Sequence, residues 1–156
     1  MSLADLMDTD FGKKEETKRI LTPIEIAKLF QSAEGKPRDC MLIKCLYYFG
    51  LSNSEVQNLK KDDISFQEMK VRVVKGEKKR ARYIAIPEGF GNELESFVSD
   101  SGEYVFSGRS KGLLSDRHIR RLVKSYACEA GLRDGSEINP HSLRNSYLSH
   151  VRNLGK

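Results

Sequence analysis

Asn139-Pro140-His141-Ser142-Leu143-Arg144-Asn145-Ser146-Tyr147-Leu148-Ser149-His150, running on to Val151 and Leu154, reads as a helix that opens at Asn139-Pro140. Proline suits the first helical position, where its missing N–H costs nothing. Leu143, Tyr147, Val151 and Leu154 share one face at helical spacing. His141 and Arg144 are three residues apart, so both project from one side of the first turn. That turn also offers unsatisfied N–H groups and the positive end of the helix dipole. An imidazole, a guanidinium and a helix N-terminus together suit a phosphate. The same spacing also fits a histidine and an arginine on an ordinary exposed helix end, and spacing alone leaves both readings open.

Upstream of this helix the period changes several times. Thr22-Pro23-Ile24-Glu25 carries the capping pattern of a helix start, and Ile26, Leu29, Phe30 and Ala33 then form one apolar face. A second helix spans about Pro37 to Phe49 and ends at Gly50. A third, short one is expected from Ser52 or Ser54 to Leu59, and Lys60 to Asp63 forms a turn. Met69, Val71 and Val73 then alternate with Lys70, Arg72 and Val74, which predicts a strand. Arg82 to Ile86 returns beside it to make a hairpin. Phe90, Leu94, Phe97 and Val98 mark a fourth helix, and Tyr104 to Phe106 reads as one further short strand. Ser115 caps a fifth helix with Ile119, Leu122, Val123, Tyr126, Ala127 and Ala130 on its apolar stripe. Gly131 is its natural terminator. The class is α+β: mainly helical, with a small antiparallel sheet of one hairpin plus one short strand.

The 156 residues suffice for one domain with a real core. Apolar residues make up 38% and charged residues 31%, a globular composition rather than a disordered one. No apolar run approaches the roughly 20 residues a membrane span needs, so no membrane partner is expected. Cys40, Cys45 and Cys128 have no metal-ligand spacing and fit free thiols in a reducing cytosol. Residues 1–18 hold five acids and three bases and read as a flexible lead-in or linker stub. The overall charge of +5 therefore becomes +7 over residues 19–156, which suits an anionic partner or a merely solvated basic face. The hairpin concentrates this charge: Lys70, Arg72, Lys75, Lys78, Lys79, Arg80 and Arg82 stand against Glu77 alone. A protruding basic hairpin can follow a phosphate backbone. Arg117, Arg120, Arg121 and Lys124 form a second cluster at helical spacing.

Taken together these segments resemble the phage-integrase family of tyrosine recombinases. Residues 141–150 are similar to its H-x-L-R-H-[ST]-F-A-T-H stretch. Leu21–Ile26 resembles its L-T-x-E-E-[IL], and Tyr48–Val56 its T-G-L-R-x-S-E-[LV]. Leu59–Ile64 is similar to L-x-x-x-D-[IV], and Val73–Arg80 to the hairpin V-x-G-K-G-x-K-x-R. Val105-Phe106 and Leu113–Ser115 fit the next landmarks, so the resemblance covers about residues 19–156. It implies most of a recombinase catalytic domain and, as partner, double-stranded DNA, with other recombinase protomers beside it.

In that family a tyrosine attacks the scissile phosphate and forms a 3′-phosphotyrosyl link, without metal, nucleotide or other cofactor. Two arginines hold the nonbridging oxygens, a hairpin lysine protonates the leaving 5′-oxygen, and histidines assist. The resemblance maps Arg144 to the second arginine, His141 to its partner histidine and Lys75 to the lysine. Lys70, Arg72, Lys78, Lys79, Arg80, Arg82, Arg117, Arg120, Arg121 and Lys124 are then expected on DNA. Ser52, however, stands at the first arginine position, and with Glu55 it reads as a capping box. Lys44 and Lys60 are the nearest candidates in sequence for that role. Asn145 replaces a usual histidine. Tyr126 and Tyr147 lie on apolar stripes and read as core. The family's nucleophile lies beyond residue 156, so this chain alone is expected to bind DNA without cleaving it. A non-catalytic DNA-binding or regulatory protein of the same fold is the alternative that Ser52 favours. Either would work in the cytoplasm, on the nucleoid if the source is prokaryotic.

Overall fold

A computed structural model describes residues 19–75, 80–107 and 113–154; the side chains of residues 75, 80 and 152–154 lie outside that description, as does the 1–18 lead-in. Helix α1 (Pro23–Ser32) starts as its sequence predicts. Thr22 accepts from the Glu25 N–H, and the Glu25 carboxylate accepts from the Thr22 N–H. Its face of Ile26 and Leu29, continued by Ala33, is buried. Helix α2 (Pro37–Tyr48) is the centre of the molecule. Cys40, Met41, Leu42, Ile43, Cys45 and Leu46 are all buried, so it is apolar on nearly every side and packs against α1 and the last helix. Phe49 caps it, and Gly50 turns the chain with φ at +60°. A side chain at Gly50 would also collide with the Tyr147 ring.

Helix α3 (Asn53–Gln57) is one turn and a half, capped by Ser52, and a 3-10 turn follows at Lys61–Asp63. The sheet is antiparallel in the order β1 (Ile64–Ser65), β2 (Lys70–Lys75), β3 (Arg80–Ala85). Ile64 pairs with Val71, Val71 with Ile84 and Val73 with Arg82. Val71 and Val73 are buried while Arg72 is exposed, the alternation expected of a sheet with one wet face. Helix α4 (Gly91–Ser99) buries Leu94 and Val98, and α5 (Asp116–Glu129) buries Ile119, Leu122, Val123 and Ala127. Gly131 follows α5 at φ +74°. Helix α6 (Pro140–Leu154) closes the described chain.

Two expectations are corrected. The short third strand is Ile64–Ser65, and Tyr104 makes only a single bridge to Lys60. Val105 donates to the Leu59 carbonyl and Lys61 to that of Glu103, but the chain coils into its 3-10 turn at Lys61, so pairing stops there. On α6 the buried stripe is Ser142, Leu143 and Ser146, whereas Val151 is 46% exposed and Tyr147 only half-buried. The serines are buried because their hydroxyls are satisfied. Ser146 Oγ accepts from the Leu21 N–H at 2.8 Å and donates to the Ser142 carbonyl at 2.7 Å. The small hydroxyl side chains thus take the inward face of α6, and Tyr147 and Val151 lie further out.

A candidate phosphate-binding site

The site is built at the start of α6. Asn139 and Ser142 cap the helix reciprocally: Ser142 N–H donates to Asn139 Oδ1 at 3.1 Å, and Asn139 N–H donates to Ser142 Oγ at 3.2 Å. This fixes the first turn, from which His141 projects into solvent and Arg144 leans toward the molecule, half-buried. Arg144 Nη1 donates to the Gly50 carbonyl at 2.7 Å and to Glu55 Oε1 at 3.3 Å. Its Nε and Nη2 have no hydrogen-bond partner among the described residues, which leaves donors for an incoming oxyanion.

Glu55 is the hub of this region. Its carboxylate is 2% exposed and accepts from Arg82 at 2.8 and 3.2 Å, from Arg144 and from the Ser52 N–H at 2.9 Å. Burial pushes its pKa up, but the Arg82 hydrogen bonds, the Ser52 N–H and the nearby Arg144 charge outweigh this and hold it below the ordinary glutamate value. The carboxylate thus stays ionised and fixes Arg144 in place. Between α3, α5 and α6 lies a cavity of about 400 Å³ lined by Ser52, Asn53, Ser54, Arg120, His141 and Arg144, among others. Two guanidinium groups and an imidazole line this cleft, and it is of a size to admit a phosphodiester.

The structure brings His141, Arg144 and Ser52 together. Ser52 is the cap of α3: its Oγ accepts from the Glu55 N–H at 3.3 Å, as the capping pattern predicts. Lys75 ends β2 opposite Arg80. Lys78 and Lys79 lie outside the described residues, as do the side chains of Lys75 and Arg80. The Arg82 guanidinium forks onto buried Glu55. Two other hairpin cations have partners at the surface: Arg72 meets Asp63 at 3.2 Å, and Lys70 meets Glu68 at 3.0 Å and lies over the Tyr83 ring. Arg117, Arg120, Arg121 and Lys124 are exposed and line one groove along α5. Lys44 and Lys60 do not reach the Ser52 cavity. Lys44 pairs with Glu93, and Lys60 pairs with Glu103 beside the Tyr104 ring. Tyr126 is tied by its hydroxyl to Asp39, and burial together with that bond pushes its pKa up to about 12.

Sequence reasoning missed two participants. Glu55 was legible only as half of a capping box, and its burial follows from the approach of Arg82 and Arg144, residues far apart in sequence. Arg120 was legible only as one of four cations on a helix. Its place at the Ser52 cavity depends on how α5 crosses α3.

A mainly helical domain with a three-stranded antiparallel sheet and an Arg–His pair at a capped helix start defines the class: the catalytic-domain fold of the integrase-type recombinases. The family model described as "Phage integrase family" matches residues 18–155, and the chain belongs to that family. It is 32% identical over 148 residues to the tyrosine recombinase XerA of Thermococcus kodakarensis, covering 91% of this chain and 48% of that one. It is 29% identical over 139 residues to a tyrosine recombinase of Pseudothermotoga lettingae, covering 86% and 47%. The chain therefore spans about half the length of the curated relatives it matches. Among solved structures, a XerA recombinase superposes with a TM-score of 0.78 at 23% identity, over 88% of this chain and 52% of that one. XerH bound to its difH substrate before cleavage gives 0.74 at 18% identity, over 86% and 43%. Among the described residues no helix is long and apolar enough to cross a membrane.

Proposed function

We propose that this chain is the greater part of the catalytic domain of a site-specific tyrosine recombinase, and that it binds duplex DNA with the scissile phosphate over the start of α6. The observation that carries this is the convergence of Arg144, His141 and the Ser52 loop on one cationic cavity, with Arg144 braced by Gly50 and Glu55. In this reading Arg144 holds a nonbridging oxygen and stabilises the charge that develops on it during transfer. His141, exposed beside it, hydrogen-bonds the same phosphate. Lys75 is the general acid for the leaving 5′-oxygen, a role that rests on its place in the hairpin. The basic groove of α5 and the hairpin follow the flanking backbone, with other protomers alongside in the recombining assembly. The protein acts in the cytoplasm, and on the nucleoid if its source is prokaryotic.

A regulator of the same fold that binds without cleaving is the second reading, and Ser52 favours it. A serine that caps α3 places no charge where the family pattern has a guanidinium. Titration of duplex DNA at several salt concentrations tests what the two readings share. If about four to seven phosphates are neutralised, log K falls against log salt with a slope of about −4 to −6. An affinity that does not change with salt overturns both.

A further inference from the structure

We infer that Arg120 supplies the second guanidinium to the phosphate cavity, in place of the arginine that Ser52 displaces. The inference rests on the phosphate reading of that cavity. Ser52, His141 and Arg144 line it, and Arg120 lines it too, from α5. Among the described residues no lysine lines this cavity, and Lys44 and Lys60 are paired with Glu93 and Glu103 elsewhere.

Arg120 is also held in a usable orientation. Its Nε meets Asp116 Oδ2 at 3.2 Å, one helical turn back. The other oxygen of Asp116 accepts a short hydrogen bond from the Asn53 side-chain amide. Asn53 is the first residue of α3, directly after Ser52. The guanidinium is thus tied by one edge to the very segment that carries the substitution. Its Nη1 and Nη2 have no partner among the described residues, so the fork that suits phosphate oxygens is unoccupied by protein. Asp116 brings a negative charge nearby, but it does not line the cavity, and its carboxylate is met by Arg120 Nε and by the Asn53 amide. Arg120 also lines the neighbouring groove with Arg117, Arg121 and Lys124, so it stands where the backbone-following cations meet the reaction site. Its part is electrostatic: it forms no covalent bond and moves no proton.

A simple surface pair with Asp116 would give the same i,i+4 geometry, and the experiment separates the two. The chain and its Arg120→Ala, Lys28→Ala and Arg144→Ala variants are titrated with inorganic phosphate, followed by NMR at the Ser142 amide and the His141 ring. Arg120 is 58% exposed, so its removal leaves the fold intact. Arg120→Ala is expected to weaken phosphate binding about tenfold, comparably to Arg144→Ala, with Arg120→Lys recovering part of it. Lys28→Ala, at an exposed cation of α1 outside the cavity and the groove, is expected to leave phosphate binding unchanged. Loss with Arg144→Ala but none with Arg120→Ala overturns the inference and leaves the phosphate reading standing. No loss with either variant overturns the phosphate reading and the inference together.

Discussion

Glu55 shows how one side chain settles the electrostatics of a site. Three groups converge on it, Arg82, Arg144 and the Ser52 N–H, and it is almost wholly removed from water. An ion so placed is costly to leave unpaired, and so are its partners. Glu55→Gln keeps the shape but leaves two guanidinium groups facing a neutral amide. Because Arg82 and Arg144 are partly exposed, solvent screens part of the loss, and the expected destabilisation is about 2 kcal/mol. The pH dependence has a definite sign. The folded-state pKa of Glu55 lies below its unfolded value of 4.5, so its contribution is complete above that pH and is lost as pH falls through the folded value. Urea midpoints of the two proteins should therefore lie far apart at pH 6 and draw together below about pH 4.5. A gap that stays constant across this range would show that the carboxylate's charge is not what stabilises the fold.

Helix α3 is too short to stand by itself, and its stability comes from the ends. The Ser52–Glu55 capping box satisfies two N–H groups at its start, and the same Glu55 then reaches Arg82 and Arg144. Cap and site are therefore one structure, so Ser52→Arg should have two opposing effects. Loss of the cap costs about 1 kcal/mol of stability, while a new guanidinium at the cavity tightens phosphate binding about tenfold. Denaturation and phosphate titration on one preparation measure both, and unchanged phosphate affinity would show that residue 52 does not face the bound anion. At this level much was legible in advance. The caps of α1, α3 and α5, the hairpin and the Arg144–His141 pair all follow from local spacing. The missed features are those that depend on partners distant in sequence. A two-residue strand has no alternation to read, so Ile64–Ser65 emerged only through its pairing with β2. Ser142 and Ser146 look like surface residues until Leu21 and the α6 backbone satisfy their hydroxyls.

Across the molecule the cations divide into two populations that composition cannot distinguish. Arg82 and Arg144 point inward to a shared carboxylate, whereas Arg117, Arg120, Arg121 and Lys124 form an exposed track leading to the cavity. The first group braces the start of α6, and the second gives the surface beside it a positive field. The tyrosines are distributed differently. Tyr47 and Tyr48 pack with Phe30 and Tyr126 is bonded to Asp39. Tyr147 lies against Gly50, Tyr83 against Lys70 and Tyr104 against Lys60. None of the six lines the cavity that holds Ser52, His141 and Arg144. In-line attack requires the reacting oxygen about 3–3.5 Å from phosphorus, with the phosphate already seated. Moving Tyr126 or Tyr147 there would break their packing and, for Tyr126, also break its bond to Asp39. A nicked duplex that traps covalent intermediates should therefore leave no denaturant-resistant DNA adduct on residues 1–156, although the same duplex is bound at low salt. Gel electrophoresis under denaturing conditions reads this directly. An adduct mapped to any of these six tyrosines would mean that the cavity at α6 is not where the phosphate reacts. An adduct that appears only when a further polypeptide segment is supplied would place the nucleophile on that segment and the phosphate on the surface described here.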